Sequence, residues 1–193
     1  MKVGPTMGEK ELAHLCAKGD RSAIRELYGR YAARLCALCS RYAGGPEEGM
    51  DLMHDSLLKA LDKMDKYQYS GPGSLYSWLA RVAVNESIDH LRKGGRLQMT
   101  YKDDPLPERD SLIAEESPAP EESRSIPDAD LQKLISSLPD SKRVVLNLYC
   151  VEGFSHKEIG EKLGISEKTS SSTLARAKKT LAEKIKEYWK NNG

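Results

Sequence analysis

The chain has 193 residues, of which 31% are charged and 39% are hydrophobic, and its formal net charge at pH 7 is +1. No segment approaches the roughly 20 consecutive apolar residues of a transmembrane helix, and residues 1–9 lack the apolar region of a secretory signal. Four cysteines are too few for a disulfide scaffold, which favours a reducing compartment. We therefore expect a cytoplasmic protein rather than a secreted or membrane-inserted one.

Residues 10–97 predict a bundle of about four helices. Asp20 suits the N-cap of a long helix with apolar residues at steps of three and four, namely Ile24, Leu27, Tyr28, Tyr31, Leu35, Leu38, Cys39 and Tyr42. Gly44 and Pro46 end this helix and begin the next, whose stripe comprises Met50, Met53, Leu57, Leu61 and Met64. A Gly-Pro-Gly break then precedes a helix with Leu75, Trp78, Leu79, Val82 and Ile88. A short helix near residues 9–18 completes the bundle.

Residues 98–127 predict a flexible acidic linker. Five of the nine prolines lie in this segment, and residues 98–128 carry nine acidic but only three basic side chains. Proline removes backbone hydrogen-bond donors and restricts the residue before it, and the few apolar side chains cannot offset the entropy of an ordered chain. The sequence therefore predicts two domains, residues 10–97 and residues 128–190.

Residues 128–190 predict a second, smaller set of helices. Asp128 suits the N-cap of the first helix, and the second begins at Asp140. Ser155 and Glu158 have the spacing of a capping box, and Ser166 suits the N-cap of a long basic helix carrying Leu174, Leu181, Ile185 and Trp189. No segment alternates apolar and polar residues with period two. The predicted fold class is therefore all-α, with two small helical domains.

The C-terminal domain has the pattern of a helix-turn-helix. Gly160 would let two helices cross closely and Gly164 suits the turn, while the core would come from Ile159, Leu163, Ile165 and Leu174. The second helix would present a basic and hydroxyl-rich surface to the major groove of a duplex, comprising Lys168, Ser171, Ser172, Thr173, Arg176, Lys178 and Lys179. The alternative is an ordinary helical hairpin with a solvated basic face.

The last helix of the first domain has a polar stripe formed by Arg81, Asn85, Asp89 and Arg92. The loop before this helix and its first turns contain aromatic residues, namely Tyr67, Tyr69, Tyr76 and Trp78. Aromatic rings beside amide and guanidinium groups can stack on and hydrogen-bond to unpaired bases. The alternative is a solvated helix face with aromatic packing beneath it, and we expect Trp78 to belong to the core.

No motif favours catalysis or metal binding. Cys36 and Cys39 form a Cys-x-x-Cys pair, but it lies within an apolar stripe and has no second pair, so we expect buried thiols rather than a zinc or redox site. The glycine-rich segment at residues 44–49 lacks the Lys-Ser/Thr of a phosphate-binding loop. Histidines are scattered, and no serine or cysteine has an identifiable base. We expect a non-enzymatic protein without metal or cofactor.

Four segments, taken in order, carry a family resemblance. They are AIRELYGRYAARLCALCSRY, DLMHDSLLKALDKMDKY, LYSWLARVAVNESIDHLRK and LPDSKRVVLNLYCVEGFSHKEIGEKLGIS. In this order, and with an acidic linker before the last, they resemble the extracytoplasmic-function (ECF) sigma factors, compact specificity subunits of bacterial RNA polymerase. The resemblance covers about residues 10–97 and 128–190, which is nearly everything except the linker.

The resemblance implies partners and site residues. Asp51, Leu52 and Asp55, with Leu58 beside them, match the motif that docks on the clamp helices of core RNA polymerase. Tyr67, Arg81 and Asn85 match positions that hold a base flipped from the opened −10 element. The basic run at Arg92, Lys93 and Arg96 resembles residues that grip nearby phosphates. The second domain would read the −35 duplex, and the linker resembles a connector that threads channels used by nascent RNA. Similar proteins are commonly inhibited by an anti-sigma factor.

The second helix of the helix-turn-helix is the recognition helix, and its start departs from the family pattern. Ser170 stands where an apolar residue normally packs, and Ser171 and Thr173 stand where Lys or Arg is common. Ala175 is small where a larger side chain is frequent. Fewer guanidinium contacts should lower phosphate-driven affinity and its salt dependence. The sequence therefore predicts either an unusual −35 sequence or weak binding that relies on the polymerase.

Two other functions are compatible with parts of the pattern. A stand-alone helix-turn-helix regulator would use its N-terminal bundle for dimerisation or sensing, and would bind a two-fold symmetric duplex without polymerase. A non-DNA interaction module would use its basic faces for solubility and would show no salt-dependent DNA binding. Binding to core polymerase separates both from a sigma factor.

Overall fold

The computed structural model describes residues 7–97 and 126–192. Within these two ranges the regular structure is helical and no strand is present, which confirms the predicted all-α class. The chain divides into two compact units, Met1–His90 and Leu91–Gly193. The predicted linker, residues 98–127, lies outside the described residues except for Ile126 and Pro127.

Four α-helices and one short 3₁₀ helix form the first part of the chain. They are α1 (Glu9–Ala17), α2 (Arg21–Ala43), α3 (Pro46–Asp62), the 3₁₀ helix Met64–Lys66, and α4 (Ser74–Lys93), whose last three residues belong to the second unit. The Asp20 carboxylate accepts hydrogen bonds from the backbone N–H groups of Ser22 and Ala23, each at 2.9 Å. Gly44 ends α2 in the left-handed conformation, with φ +88°. Local capping thus sets these boundaries as the sequence predicts.

The core of the first unit lies between α2, α3 and α4. Its largest buried side chains include Leu27, Leu35, Tyr42 and Leu79. All four belong to the apolar stripes that the sequence predicts. The helices α2 and α3 approach closely where Gly49 faces Ser40, because a Cβ at Gly49 would lie 2.6 Å from the Ser40 Cα. This contact requires glycine.

Two members of the predicted apolar stripes are exposed instead. Tyr28 is 45% exposed and Met50 is 49% exposed. Both lie beside the buried face of their helices, next to the buried residues Leu27 and Gly49. A step of one residue turns a side chain by about 100° around a helix, which is enough to move it out of the core.

Four further helices form the described part of the C-terminal half. They are α5 (Asp128–Ser136), α6 (Asp140–Cys150), α7 (His156–Leu163) and α8 (Glu167–Asn192). Ser155 and Glu158 form the predicted capping box, and Gly164 ends α7 in the left-handed conformation. The predicted cap at Asp128 is wrong, because Pro127 occupies the N-cap position and Asp128 is the first helical residue. There its carboxylate still interacts favourably with the helix dipole.

The core of this half is built from α6, α7 and α8. It contains Val144 and Leu148 from α6, Ile159 from α7, and Leu174 and Ala177 from α8. At the predicted close crossing, a Cβ on Gly160 would lie 2.8 Å from the carbonyl oxygen of Ile165. In the part of the chain that the structure describes, no helix is both long and apolar enough to cross a bilayer.

Candidate nucleic-acid and protein interfaces

A cleft of about 400 Å³ opens between the loop that follows the 3₁₀ helix and the first turns of α4. This volume falls in the range typical of small-ligand sites, roughly 300–1,000 Å³. Its wall combines aromatic, hydroxyl, amide and guanidinium groups from Tyr67, Gln68, Ser70, Pro72, Gly73, Ser74, Ser77, Trp78 and Arg81. These groups can stack on a planar base and hydrogen-bond to its edge.

Two aromatic rings shape the inner wall of this cleft. Tyr67 and Trp78 have ring centroids 5.6 Å apart with an interplanar angle of 58°. The Tyr67 hydroxyl is 2.6 Å from Ser74 Oγ, so the loop is hydrogen-bonded to the start of α4. The expectation that Trp78 belongs to the core is wrong, because its half-buried ring contacts Tyr67 and lines the cleft.

Four of the six predicted −10 residues lie on α4, whereas Tyr67 precedes this helix and Arg96 follows it. Arg81 lines the cleft and is exposed, and Asn85 is exposed one turn further along the helix. Arg92 and Lys93 are also exposed. Arg96 is half-buried, and its Nε donates to Asp140 Oδ2 at 2.6 Å within the second unit. The structure thus brings Tyr67 and Arg81 together in one cleft and leaves Asn85 accessible beside it.

One residue that the sequence did not indicate supports the cleft. The Glu9 carboxylate, at the start of α1, accepts hydrogen bonds from the backbone N–H groups of Gly73 and Leu75, at 3.1 and 3.2 Å. These partners are 64 and 66 residues away in the chain. No local pattern signals a contact of that separation.

The exposed face of α3 combines acidic and apolar side chains. Asp51 and Asp55 are exposed one turn apart, and Leu58 is 62% exposed. The prediction that Leu52 contributes directly to this surface is wrong, because Leu52 is 2% exposed and packs in the core. An amphipathic helix turns Leu52 inward when it turns Asp51 and Asp55 outward.

Three residues missed by the sequence reasoning extend this face. Met50 and His54 are exposed on α3, and Tyr28 of α2 stacks on the His54 ring with centroids 6.0 Å apart. The Tyr28 hydroxyl and His54 Nε2 are 3.2 Å apart. We call this surface the α3 patch, and it comprises Tyr28, Met50, Asp51, His54, Asp55 and Leu58. The periodicity of the sequence places Tyr28 and Met50 in the buried stripes and His54 is polar, so it did not mark these three residues as one surface.

The predicted duplex contacts on α8 divide into exposed and buried groups. Lys168, Ser171 and Lys179 are exposed, and Arg176 is half-buried. The expectation that Ser172 and Thr173 face a duplex is not met, because they are only 6% and 2% exposed. Ser172 Oγ donates to the Thr169 carbonyl at 3.1 Å. This local hydrogen bond satisfies the hydroxyl inside the domain.

A polar contact replaces the apolar side chain that the sequence led us to expect at Ser170. Ser170 is fully buried, and its Oγ is 3.0 Å from Nδ1 of His156 at the start of α7. The His156 ring stacks on Tyr149 with centroids 4.6 Å apart. The recognition helix is therefore fixed to α7 through an imidazole, which explains how a serine is accommodated at this buried position.

The predicted burial of the Cys36–Cys39 pair is met at Cys39, whereas Cys36 is half-buried. Cys39 is fully buried, and burial raises its pKa to about 11. Burial similarly raises the pKa of Cys16 to about 11. Both thiols therefore stay protonated at neutral pH, and the thiolate is the form that reacts or binds metal. No cluster of three or more potential ligands for a metal ion occurs within residues 7–97 and 126–192.

Two family matches cover most of the described chain. Residues 27–97 match Sigma-70 region 2, and residues 128–181 match Sigma-70 region 4. The first match contains the α3 patch residues from Tyr28 to Leu58 together with the cleft. The second contains α5, α6, α7 and the part of α8 up to Leu181.

Curated relatives of this chain come from different bacteria. The chain is 31% identical over 177 residues to the ECF RNA polymerase sigma factor SigE of Mycolicibacterium smegmatis, covering 89% of this chain and 66% of that protein. It is 27% identical over 178 residues to the ECF RNA polymerase sigma factor SigW of Bacillus subtilis, covering 88% and 92%. It therefore spans just under two thirds of the first relative and nearly all of the second.

A solved structure has the same fold. The sigma factor RpoE of Bartonella quintana, in a co-crystal with the anti-sigma factor NepR, matches with a TM-score of 0.51 and 24% identity over 84% of this chain and 96% of that one. The family matches and the curated relatives disfavour a stand-alone regulator. The chain belongs to the extracytoplasmic-function sigma factors, which direct bacterial RNA polymerase to promoters.

Proposed function

We propose that the α3 patch docks on core RNA polymerase while the cleft holds a base of the melted −10 strand. The observation that carries this proposal is the presence, in one small unit, of an exposed acidic-apolar helix face and an aromatic-lined cleft of about 400 Å³. Asp51 and Asp55 supply charge to pair with a basic partner, and Met50 and Leu58 supply apolar area. Charge steers such an encounter, and buried apolar area stabilises the complex.

In the proposed mechanism, promoter melting uses binding energy alone. A base inserted between Tyr67 and Arg81 would be removed from the stack and from pairing with the template strand. Arg92 and Lys93 would neutralise phosphates near the opened segment. Arg96 would join them only by leaving the Asp140 carboxylate, with which it pairs in the structure. Each captured base shifts the equilibrium from closed to open duplex by its own binding free energy. No nucleotide hydrolysis is needed, and the chain acts as a binding subunit rather than an enzyme.

The helix-turn-helix would dock α8 in the major groove of the −35 element. The exposed residues Lys168, Ser171 and Lys179 would contact the duplex, with Arg176 at the edge of this surface. Only three of these four side chains are cationic and Arg176 is half-buried, so few phosphates are neutralised and the salt dependence of duplex binding should be shallow. We propose that core polymerase supplies much of the affinity by holding both domains on one promoter.

Binding to purified bacterial core RNA polymerase tests the docking role. We expect Asp51→Ala/Asp55→Ala to weaken binding by at least about tenfold, because charge pairs buried at an interface cost roughly 2 kcal/mol or more when truncated. Asp62→Ala/Asp65→Ala is the matched control, since it also removes two exposed carboxylates from the same region. Fluorescence anisotropy of the labelled full-length chain gives both affinities.

Two outcomes contradict the docking proposal. Absence of wild-type binding, with the protein shown to be folded, would return the stand-alone regulator to consideration. Equal weakening by both double variants would mean that net charge, and not the α3 patch, determines the affinity.

Asn85→Ala tests the role of α4 in strand capture. We expect the holoenzyme to lose about tenfold or more in open-complex formation, since an amide that hydrogen-bonds an extruded base contributes roughly 1–3 kcal/mol, while core binding is unchanged. Gln132→Ala, which removes an exposed amide from α5, serves as control. Permanganate footprinting measures opening on a promoter selected by the holoenzyme from a random duplex pool. Joint loss of core binding and opening would show that α4 is misassigned.

The proposal also includes an inhibitory partner for the chain and the compartment in which the chain acts. The α3 patch is an exposed surface that an anti-sigma factor can cover, and the structural neighbour from Bartonella quintana was solved with such a partner. We propose an anti-sigma factor that competes with core polymerase for this patch. Because both polymerase and promoter are cytoplasmic, we place the chain in the cytoplasm.

A further inference from the structure

The start of α4 lacks a cap of its own. Gly73 precedes the helix in the left-handed conformation, with φ +83°, and glycine has no side chain that could accept a hydrogen bond. The first turn of an α-helix leaves backbone N–H groups without helical partners. Ser74 N–H donates to the Gly71 carbonyl at 3.1 Å, and Ser77 N–H donates to the Gly73 carbonyl at 3.1 Å. The N–H groups of Gly73 and Leu75 therefore need an acceptor from elsewhere.

Glu9 supplies that acceptor from another helix. Its Oε1 accepts from Gly73 N–H at 3.1 Å, and its Oε2 accepts from Leu75 N–H at 3.2 Å. A carboxylate at this end of α4 also interacts favourably with the positive end of the helix dipole. Both oxygens are thus occupied by the backbone of the segment that forms the cleft.

The Glu9 side chain is itself held in place. The Tyr31 hydroxyl donates to Glu9 Oε1 at 3.2 Å, and burial together with the Glu9 charge raises the Tyr31 pKa, which keeps this hydroxyl protonated. The Tyr31 ring stacks on Tyr76 of α4 with centroids 6.1 Å apart. The Arg34 guanidinium lies 3.6 Å from the centre of the Tyr76 ring. These contacts join α1, α2 and the first turn of α4 behind the cleft.

We propose that Glu9 is a positioning residue for strand capture, because it fixes the turn at residues 71–73 and the first turn of α4 in the shape that receives the base. This inference rests on the proposed −10 role of the cleft. Gly73 and Ser74 line the cleft, and the adjacent Ser74 hydroxyl bonds to Tyr67. Without Glu9 this turn samples more conformations, and the bound state must then order it at a cost in affinity.

The test compares three variants of the full-length chain. Glu9→Ala removes both acceptors, Glu9→Gln retains one acceptor without the charge, and Glu11→Ala removes an exposed carboxylate from the same helical turn. Three quantities are measured: amide hydrogen exchange at Gly73 and Leu75, binding to core polymerase, and capture by the holoenzyme of a labelled single strand. The strand carries the non-template −10 sequence of the promoter selected from the random duplex pool.

We expect the Glu9 variants to lose strand capture to different degrees while their binding to core polymerase is retained. Glu9→Ala should weaken strand capture about tenfold, since a hydrogen bond to a charged group contributes enough free energy for a change of this size, and Glu9→Gln should weaken it less. Amide exchange at Gly73 and Leu75 should accelerate in the same order. Core binding should stay within about twofold of wild type in all variants, and Glu11→Ala should match wild type throughout.

The outcomes separate this inference from the function on which it rests. If wild-type holoenzyme captures no strand, the proposed −10 role of the cleft fails. If wild type captures the strand and Glu9→Ala captures it equally well, the positioning role fails while the proposed function stands. If Glu9→Ala lowers core binding as much as strand capture, Glu9 stabilises the whole unit and does not position the cleft.

Discussion

Gly49→Ala should lower the free energy of unfolding of the first unit by about 3 kcal/mol, a cost typical of adding a methyl group where there is no space. The new Cβ would lie 2.6 Å from the Cα and 2.7 Å from the backbone N of Ser40. These are backbone atoms of a neighbouring helix, so relief requires α2 and α3 to move apart. Their separation would loosen the packing beneath the α3 patch, and core polymerase binding should weaken with it.

Gly29→Ala is the matched control for this prediction. Gly29 lies inside α2, as Gly49 lies inside α3. No atom lies within 4 Å of a Cβ built at Gly29. Replacing an exposed helical glycine by alanine should stabilise the helix by roughly 0.5–1 kcal/mol. Urea unfolding, followed by Trp78 fluorescence in a Trp189→Phe background, reports on the first unit. A destabilisation by Gly29→Ala, or none by Gly49→Ala, would contradict the packing described for α2 and α3.

The helices and their caps could be predicted because the forces that set them are local. Asp20, Gly44 and the Ser155–Glu158 box act on residues within a few positions, and each is found where the sequence predicts it. The close approach at Gly160 follows from the same short-range pattern. Local patterns also identify one face of α4 as polar, which led to Arg81 and Asn85.

The contacts that complete the candidate sites could not be predicted in this way. Glu9 reaches its partners across more than 60 residues of chain, and nothing in residues 7–12 indicates that α1 starts beside α4. Ser172 and Thr173 are predicted on the duplex surface because they lie on the second helix of the helix-turn-helix, where hydroxyl groups can contact base edges. Ser172 instead hydrogen-bonds within its own helix, which allows it to be buried.

The α3 patch shows a third kind of difference between the residues predicted from the sequence and those that the structure exposes. The family resemblance places Leu52 in the docking motif with Asp51 and Asp55, but helical geometry directs it into the core. The exposed apolar residues are Met50 and Leu58. A motif in a linear sequence records neighbours along the chain, whereas a docking surface is made of residues three or four positions apart.

Breaking the Asp140–Arg143 pair should lower the free energy of unfolding of the C-terminal domain by about 3 kcal/mol, because the buried Arg143 guanidinium would lose the carboxylate that neutralises its charge. The Arg143 side chain is 3% exposed and pairs with the Asp140 carboxylate. Arg143 Nη1 also donates to the carbonyls of Ser136 and Leu138, at 3.1 and 2.9 Å. This arginine therefore joins the end of α5 to the start of α6, and through α6 it supports the helix-turn-helix.

The same domain contains an exposed pair with identical spacing, which makes a matched comparison possible. Asp130 and Lys133 are also three residues apart, but the Lys133 side chain is 78% exposed. Arg143→Met should shift the urea midpoint markedly, and so should Asp140→Asn, which also removes the ion pair between Asp140 and Arg96. Asp130→Asn and Lys133→Met should leave the midpoint nearly unchanged, since surface pairs are screened by solvent. Trp189 fluorescence in a Trp78→Phe background follows this domain. Equal shifts for the two pairs would show that spacing and charge type, and not burial, determine the effect.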